Sequence, residues 1–385
     1  MFAAPESELL RRCARKTLDP ETTARIRGLV RGPIDWGYLI RLAHAHGMKP
    51  LLHWHLNALG LQEVPVDIHQ RLRDDFQSNS RRNLFLTGKL LELLQLLRAH
   101  SIPAVPYKGP FLAQYLYGNL ALRQFVDLDI LVPRDRAAQA RDLVASLGYP
   151  LPGRRAEHKT EKSFLRWEWE FGQISSDESF RVEIQWAFAP YTMSFPIQFE
   201  SLLPRLQSTR FGGTEVLCLR PSDLLLVLCA HGAKHRWERL EWICGISELI
   251  RGYQSEIDWN EVIDSTEKLG IRRMTFLGLS LGAELLGAPV PEEVHRAIRG
   301  DSTIALLSAD VSRRSLSPPR EAGLFAYFLF QVRSRERWAD KMRYLGRYLL
   351  KPRNAAPAIL RAGARTVAWF HRRPYQQATP GHVRG

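Results

Sequence analysis

Between Arg123 and Val132 two carboxylates, Asp127 and Asp129, stand two positions apart in a run that otherwise reads as a buried β-strand. On a strand the side-chain period is two, so this pair projects to one face while Val126, Leu128 and Ile130 take the other. Aspartate is depleted from strands and costly to bury without a partner. Two aligned carboxylates repel unless positive charge lies between them, and a divalent cation is the simplest source. Such a pair can also cap a turn, or meet Arg123 and Arg134 in a surface cluster. Pro133 and a helical pattern follow, however, and the apolar run fits an internal strand, where inward acids are more often functional.

Nineteen positions before Asp127 stands Lys108-Gly109-Pro110, between a strand-like run, Ile102 to Tyr107, and helical spacing through Phe111, Leu112, Tyr115 and Leu116. A glycine there lets the backbone approach a ligand, and a helix N-terminus offers N–H groups to an anion. Lys108 adds charge at the same point. Phosphate at the Lys-Gly turn and metal on the acid pair is the layout a nucleoside triphosphate with Mg²⁺ requires. Downstream, Phe180 to Trp186 alternates, with Arg181, Glu183 and Gln185 on one face. Glu183 is either the third acid of a two-ion site or part of an ordinary half-exposed strand.

With Lys108-Gly109, Arg123 and Asp127-Leu128-Asp129 in this order, the chain resembles the polymerase-β-like nucleotidyltransferases. It looks most like a bacterial branch described only as uncharacterised nucleotidyltransferases. That branch reads Lys-Gly, a Tyr-rich helix, Arg, Asp-x-Asp, and later an acid followed by His-Trp. The resemblance extends to Ile34-Asp35-Trp36 and to Leu225–Trp237, with His231-Gly232-Ala233-Lys234-His235, and covers roughly residues 30 to 350. Three positions depart from the pattern: Pro110 follows Gly109, Gln185 stands where His is common, and Gly245 where Asp is common.

The resemblance implies an α+β fold, a small mixed β-sheet nucleotidyltransferase core flanked by N-terminal and C-terminal helical lobes. It implies transfer of a nucleoside monophosphate from an NTP, ATP above all, to an acceptor hydroxyl or phosphate of unknown identity. Asp127, Asp129 and Glu183 would hold Mg²⁺ or Mn²⁺, and Glu183 would help activate the acceptor. Lys108 and Gly109 would hold the triphosphate, with Arg123 neutralising developing charge. The alternative is a catalytically inert module of the same fold that recruits a polyanion or a membrane-associated partner.

The elements that must position these groups follow from periodicity. Helices are expected over Glu8–Leu18, Trp36–Leu59, Val66–Gln77 and Arg82–His100. Strand 102–107, helix 109–118, strand 125–132 and helix 134–147 come next, then strands at 162–173, 179–188 and 214–219. From Pro221 the pattern is helical, with breaks near Gly252–Ser255, Gly287–Pro291 and Ser315–Pro319. This divides the chain into an N-terminal helical lobe (1–100), an α/β core (101–220), a C-terminal helical lobe (221–332) and a basic segment (333–385), its tail after Pro374 disordered.

Composition is that of a globular protein, 45% hydrophobic and 24% charged. Cys13, Cys218, Cys229 and Cys244 are widely spaced, which predicts reduced thiols and a cytoplasmic protein. No secretory signal is visible, and the longest apolar run, Gly323 to Val332, is too short to span a bilayer. Net charge is +14, and from Arg333 onward thirteen Lys/Arg stand against Glu336 and Asp340 alone. Arg335–Lys351 interleaves charge with Trp338, Met342, Tyr344, Leu345 and Leu349, a basic amphipathic helix. It could dock on the core with its arginines solvated, bind a polyanion, or hold the protein peripherally at the inner membrane face.

Two motifs compete. Gly278-Leu-Ser280-Leu-Gly282 matches a nucleophile elbow, but its surroundings read as one helix with small residues for close packing. His231 and His235 have zinc-helix spacing without the metalloprotease glutamate or an obvious third ligand. With Lys234 and Glu238 they would share a helix face, as a substrate-binding wall or as a structural pair.

Overall fold

The computed structural model describes residues 4–149, 168–174, 179–189, 193–315, 317 and 323–349. Four N-terminal helices, α1 (Pro5–Cys13), α2 (Pro20–Val30), α3 (Trp36–Ala45) and α4 (Lys49–Leu59), precede the 34-residue α5 (Val66–Ala99). Next come β1 (Val105–Pro106), α6 (Gly109–Tyr117), β2 (Asp127–Leu131), α7 (Ala137–Ser146), β3 (Glu168–Ile174) and β4 (Ser179–Gln185). The short α8 (Phe199–Leu202) leads to a hairpin, β5 (Gln207–Phe211) and β6 (Thr214–Cys218). Helices α9 (Pro221–Lys234), α10 (Leu240–Gly252), α11 (Trp259–Leu269), α12 (Arg272–Leu286), α13 (Glu292–Arg299), α14 (Ser302–Ser315), α15 (Leu324–Arg333) and α16 (Trp338–Leu349) complete the chain.

The expected α+β class holds. A four-stranded mixed sheet runs β1-β2-β4-β3, with β2 and β4 parallel and the outer pairs antiparallel. One sheet face is apolar: Leu128, Ile130, Phe171, Val182 and Ile184 pack with Leu86, Leu90, Leu93 and Leu97 of α5 and Ala140 and Val144 of α7. A second, larger core joins the N-terminal helices to α9–α14, from Leu9 and Leu52 to Ile246, Phe276 and Leu307. The contact between chain ends is also polar. Arg11 and Arg15 of the N-terminal segment and Arg251 of α10 donate to the Leu285 and Leu286 carbonyls that end α12.

Several expectations need correction. The helix expected over Trp36–Leu59 is two helices, because Gly47 takes a left-handed φ of 71° and Pro50 opens α4. The two helices expected over 66–100 are one. Asn79, at the expected break, and Asn83, just past it, donate from α5 to carbonyls of Leu120, Ala121 and Arg123. Helix α2 and strand β5 were not anticipated, although Gly212-Gly213, both at positive φ, forms the two-residue turn joining β5 to β6. The first core strand shrinks to two residues, because Pro103 and Pro106 limit its ladder. Of strand 162–173, residues 162–167 lie outside the described residues, as does the tail after Pro374.

Two corrections concern charge. Glu238 does not share a helix face with His231 and His235, since α9 ends at Lys234. Arg236 and Trp237 then turn the chain in left-handed backbone at φ 57° and 54°, with no glycine to signal it. The basic helix starts at Trp338 rather than Arg335, which is buried and donates to Gln331 and Met193 instead of facing water. The segment around Ser280 is helical as expected, and Ser280 bonds Glu284 and Ser308.

Trp237 is fully buried between glycines of two helices: a Cβ at Gly232 would lie 2.3 Å from its ring and one at Gly278 2.8 Å. Gly232→Ala should therefore lower stability by about 1–3 kcal/mol despite alanine's better helix propensity. Urea unfolding of the variant beside wild type measures this, and an unchanged midpoint would show that the ring has room to move.

Candidate active site

The polar face of the sheet gathers the predicted acids and two more. In the β2–β4 register Asp127 lies opposite Arg181 and Asp129 opposite Glu183. Across β4, strand β3 sets Glu170 opposite Glu183 and Glu168 opposite Gln185. Strand alternation thus puts five carboxylates, Arg181 and Gln185 on one face. Two-residue spacing flagged Asp127, Asp129 and Glu183, whereas Glu168 and Glu170 become visible only through the pairing with β3. A Glu-Trp-Glu alternation beside an aromatic run was the available signal.

Lys108 precedes α6 and reaches over this face, its Nζ donating to Asp129 Oδ1 at 2.9 Å. Gln185 donates from Nε2 to Asp129 (3.1 Å), Glu183 (2.7 Å) and Glu168 (3.4 Å), and its carbonyl accepts from the Tyr107 hydroxyl. Tyr107 therefore fixes the amide so that its NH₂ bridges three carboxylates. Arg181 donates from Nε and NH2 to Asp127 Oδ1 at 3.0 and 2.9 Å. Asp129 is the deeper aspartate, with 5% of its side chain exposed against 28% for Asp127.

Gly109 is required by backbone geometry. It sits at φ 57°, and a Cβ there would lie 2.6 Å from the Asp127 carbonyl oxygen. The helix start is thus pressed against the strand that carries the aspartates. Arg123 does not pair with either aspartate among the described residues, and it is Arg181 that pairs with Asp127. The Arg123 carbonyl accepts from Asn79 and Asn83, and its NH1 is buried without a hydrogen-bond partner among the described residues.

The C-terminal turn of α9 forms the opposite wall. His231 and Lys234 line a small cavity with Tyr107, Lys108, Phe188 and Gln331. The His231 and His235 rings lie 4.8 Å apart and both meet Trp242, at 5.5 and 5.2 Å between centroids. Gln331 of α15 donates to the Ala233 and Lys234 carbonyls and holds this turn in place. Both imidazoles are thus engaged with the Trp242 ring.

Burial and repulsion dominate the titration of the cluster. Burial raises the Glu183 pKa well above the ordinary carboxylate range, and Glu168, Asp129 and Asp127 add to it. Burial likewise raises Asp127, opposed by Arg181 and reinforced by Asp129. Glu168 is pushed up to about 7 by burial, against the pull of Lys234. Burial disfavours the charge on Lys108, yet Asp129, Tyr107 and Glu183 outweigh it and raise its pKa. The imidazoles of His231 and His235 are held neutral, by burial first and then by Lys108 and Lys234.

Among the described residues, no three His, Cys, Asp or Glu side chains converge closely enough to hold a metal ion as they stand. The donor chemistry nonetheless fits a hard divalent cation, being carboxylate oxygens on adjacent strands. Asp127 and Asp129 are at present engaged by Arg181 and Lys108.

A raised carboxylate pKa contributes stability at low pH that is lost as pH rises through the folded value. For Glu168 that window runs from the usual range near 4.5 up to about 7. Glu168→Gln should therefore stabilise the protein at pH 8 by about 1–2 kcal/mol more than at pH 5. Thermal melts of both proteins at the two pH values provide the comparison, and equal shifts at both would mean that the carboxyl does not titrate there.

Residues 32–287, well over half of the 385-residue chain, match a family described as uncharacterised nucleotidyltransferase. The match takes in the Lys-Gly turn, Arg123, the Asp-x-Asp strand, Glu183 and the His231–His235 turn. No curated protein and no solved structure matches the chain. With the acid-bearing sheet face and the Lys-Gly helix start inside the matched segment, the chain belongs to the uncharacterised nucleotidyltransferase family.

Proposed function

We propose that the protein moves a nucleoside monophosphate from a nucleoside triphosphate, ATP first among them, to an acceptor hydroxyl or phosphate, in the presence of Mg²⁺ or Mn²⁺. The bond between the α- and β-phosphates breaks, the acceptor oxygen takes the α-phosphorus, and pyrophosphate leaves. The observation that carries this reading is the shared face of Asp127, Asp129 and Glu183 on paired strands, beside Lys108 at the start of α6.

Asp127, Asp129 and Glu183 would hold the cation, which when bound neutralises phosphate charge and favours attack on phosphorus. Five carboxylates meet three cations here, Lys108, Arg181 and Lys234, so a divalent ion would offset the surplus. Lys108 and the first amides of α6 would take the triphosphate. Pro110 withholds one donor, which leaves the ammonium a larger share of that task. Arg123, whose NH1 has no hydrogen-bond partner among the described residues, would meet the charge that develops on transfer. Glu183 would also help activate the acceptor. His231, Lys234 and His235 would form the wall against which the acceptor lies, the neutral imidazoles adding no charge.

The pairs Lys108–Asp129 and Arg181–Asp127 favour a second reading. In it the chain's own cations neutralise the aspartates permanently, and the fold serves as an inert module for a polyanion or membrane-associated partner.

Calorimetric titration of ATP with and without Mg²⁺ separates the two, because only the enzyme should show metal-dependent binding. On the enzyme reading, Asp127→Asn and Asp129→Asn should each lower turnover by at least about a thousandfold with the fold intact. Incubation with labelled triphosphates and a cell extract provides the assay. Turnover retained in either purified variant would remove the proposed roles.

A further inference from the structure

A surface helix ordinarily turns its apolar stripe toward the core. Helix α16 departs from this in part. Its inward side carries Tyr344, 2% exposed, and Asp340, 7% exposed. Tyr344 packs with Phe328 and lies 4.3 Å from the buried Arg335 guanidinium, while Arg343 bonds Asp340 and Ser194. On the outer side Trp338 and Met342, one turn apart, are 73% and 55% exposed. Leu345 continues that stripe and is half-buried. Lys341 flanks it, with Nζ 5.4 Å from the Trp338 ring centroid.

The helix is therefore held by contacts that leave Trp338 and Met342 outward. Two large exposed side chains on one helical face mark an interaction surface. Charge says what kind: Lys341 flanks the stripe and, although Arg335 is buried, the sequence from Arg333 onward carries thirteen basic residues against two acidic ones. A nucleic acid would use that charge and could stack on Trp338, but it offers nothing to Met342 and Leu345. An anionic bilayer uses all of them. Apolar side chains enter the acyl boundary, tryptophan settles at the headgroups, and lysine and arginine meet lipid phosphate.

We propose that α16 is a membrane-docking helix that seats this protein on an anionic lipid surface, with Trp338 and Met342 inserted. Among the described residues no helix is long and apolar enough to cross a membrane, and the attachment proposed is peripheral. The inference goes beyond the transferase reading and does not depend on it.

The test uses the full chain with phosphatidylcholine vesicles, plain or containing about 30% phosphatidylglycerol, in sedimentation assays at moderate salt. Binding is expected to the mixed vesicles and to be weak on the neutral ones. Replacing Trp338→Ser together with Met342→Ser should weaken it on the order of tenfold, without a change in melting temperature. A second measurement reports on the face itself. The four native cysteines are buried, so Met342→Cys offers one accessible thiol for an environment-sensitive dye. Its emission should shift to the blue only with mixed vesicles.

Unchanged vesicle binding in the double variant, or a dye that never shifts, overturns the proposal. So does a blue-shifted dye before vesicles are added, since another part of this chain or a second copy would then cover the face. RNA or heparin binding that is lost in the double variant, with no vesicle binding, would assign the face to a polyanion instead.

Discussion

Parallel pairing of β2 with β4 sets Asp129 beside Glu183 and Asp127 beside Arg181, and the electrostatics of that pairing shape everything around it. Like charges on adjacent strands repel most strongly where water is excluded, and here β3 adds Glu168 and Glu170 to the same face. The surroundings answer with Lys108 from one side, Lys234 from the other and Arg181 within the sheet. Gln185 links three of the acids through one amide, aimed by Tyr107. Raised carboxylate pKa values are what burial, and the repulsion left after these partners have acted, produce together.

Such a face needs a stiff scaffold, because a displaced carboxylate would lose its counter-charge. Asn79 and Asn83 of α5 clamp the segment that enters β2, and Gly109 presses the start of α6 against the Asp127 carbonyl. The wall formed by α9 is fixed by Gln331 and by Trp237 wedged between Gly232 and Gly278. Helices from both ends of the chain share the core behind that wall. The fold thus devotes its largest apolar core to supporting one side of a polar cleft.

The C-terminal helices connect with this support. Arg335 is buried; it donates to Gln331 and to the Met193 carbonyl and lies over Tyr344. It joins α15, α16 and the Met193 segment, two of which border the cavity at Lys108. A helix whose outer stripe is apolar and whose inner side is tied to the site wall is a fixed platform rather than a loose arm.

The sequence alone determined the strand period, and with it the shared face of Asp127 and Asp129, the Lys-Gly helix start, the α+β class and the family. These are local patterns, written within one or two elements. It also marked His231, Lys234 and His235, because they fall in one helical turn. Strand partners are chosen by distant segments, so Glu168, Glu170 and the pairing of Arg181 rather than Arg123 with Asp127 came only with the tertiary structure. The same holds for the turn at Arg236 and Trp237, where close packing imposes left-handed backbone on residues that carry no such signal. Periodicity shows that Trp338 and Met342 share a side of α16, but which side meets the core depends on Arg335, Asp340 and Tyr344 finding partners elsewhere in the chain.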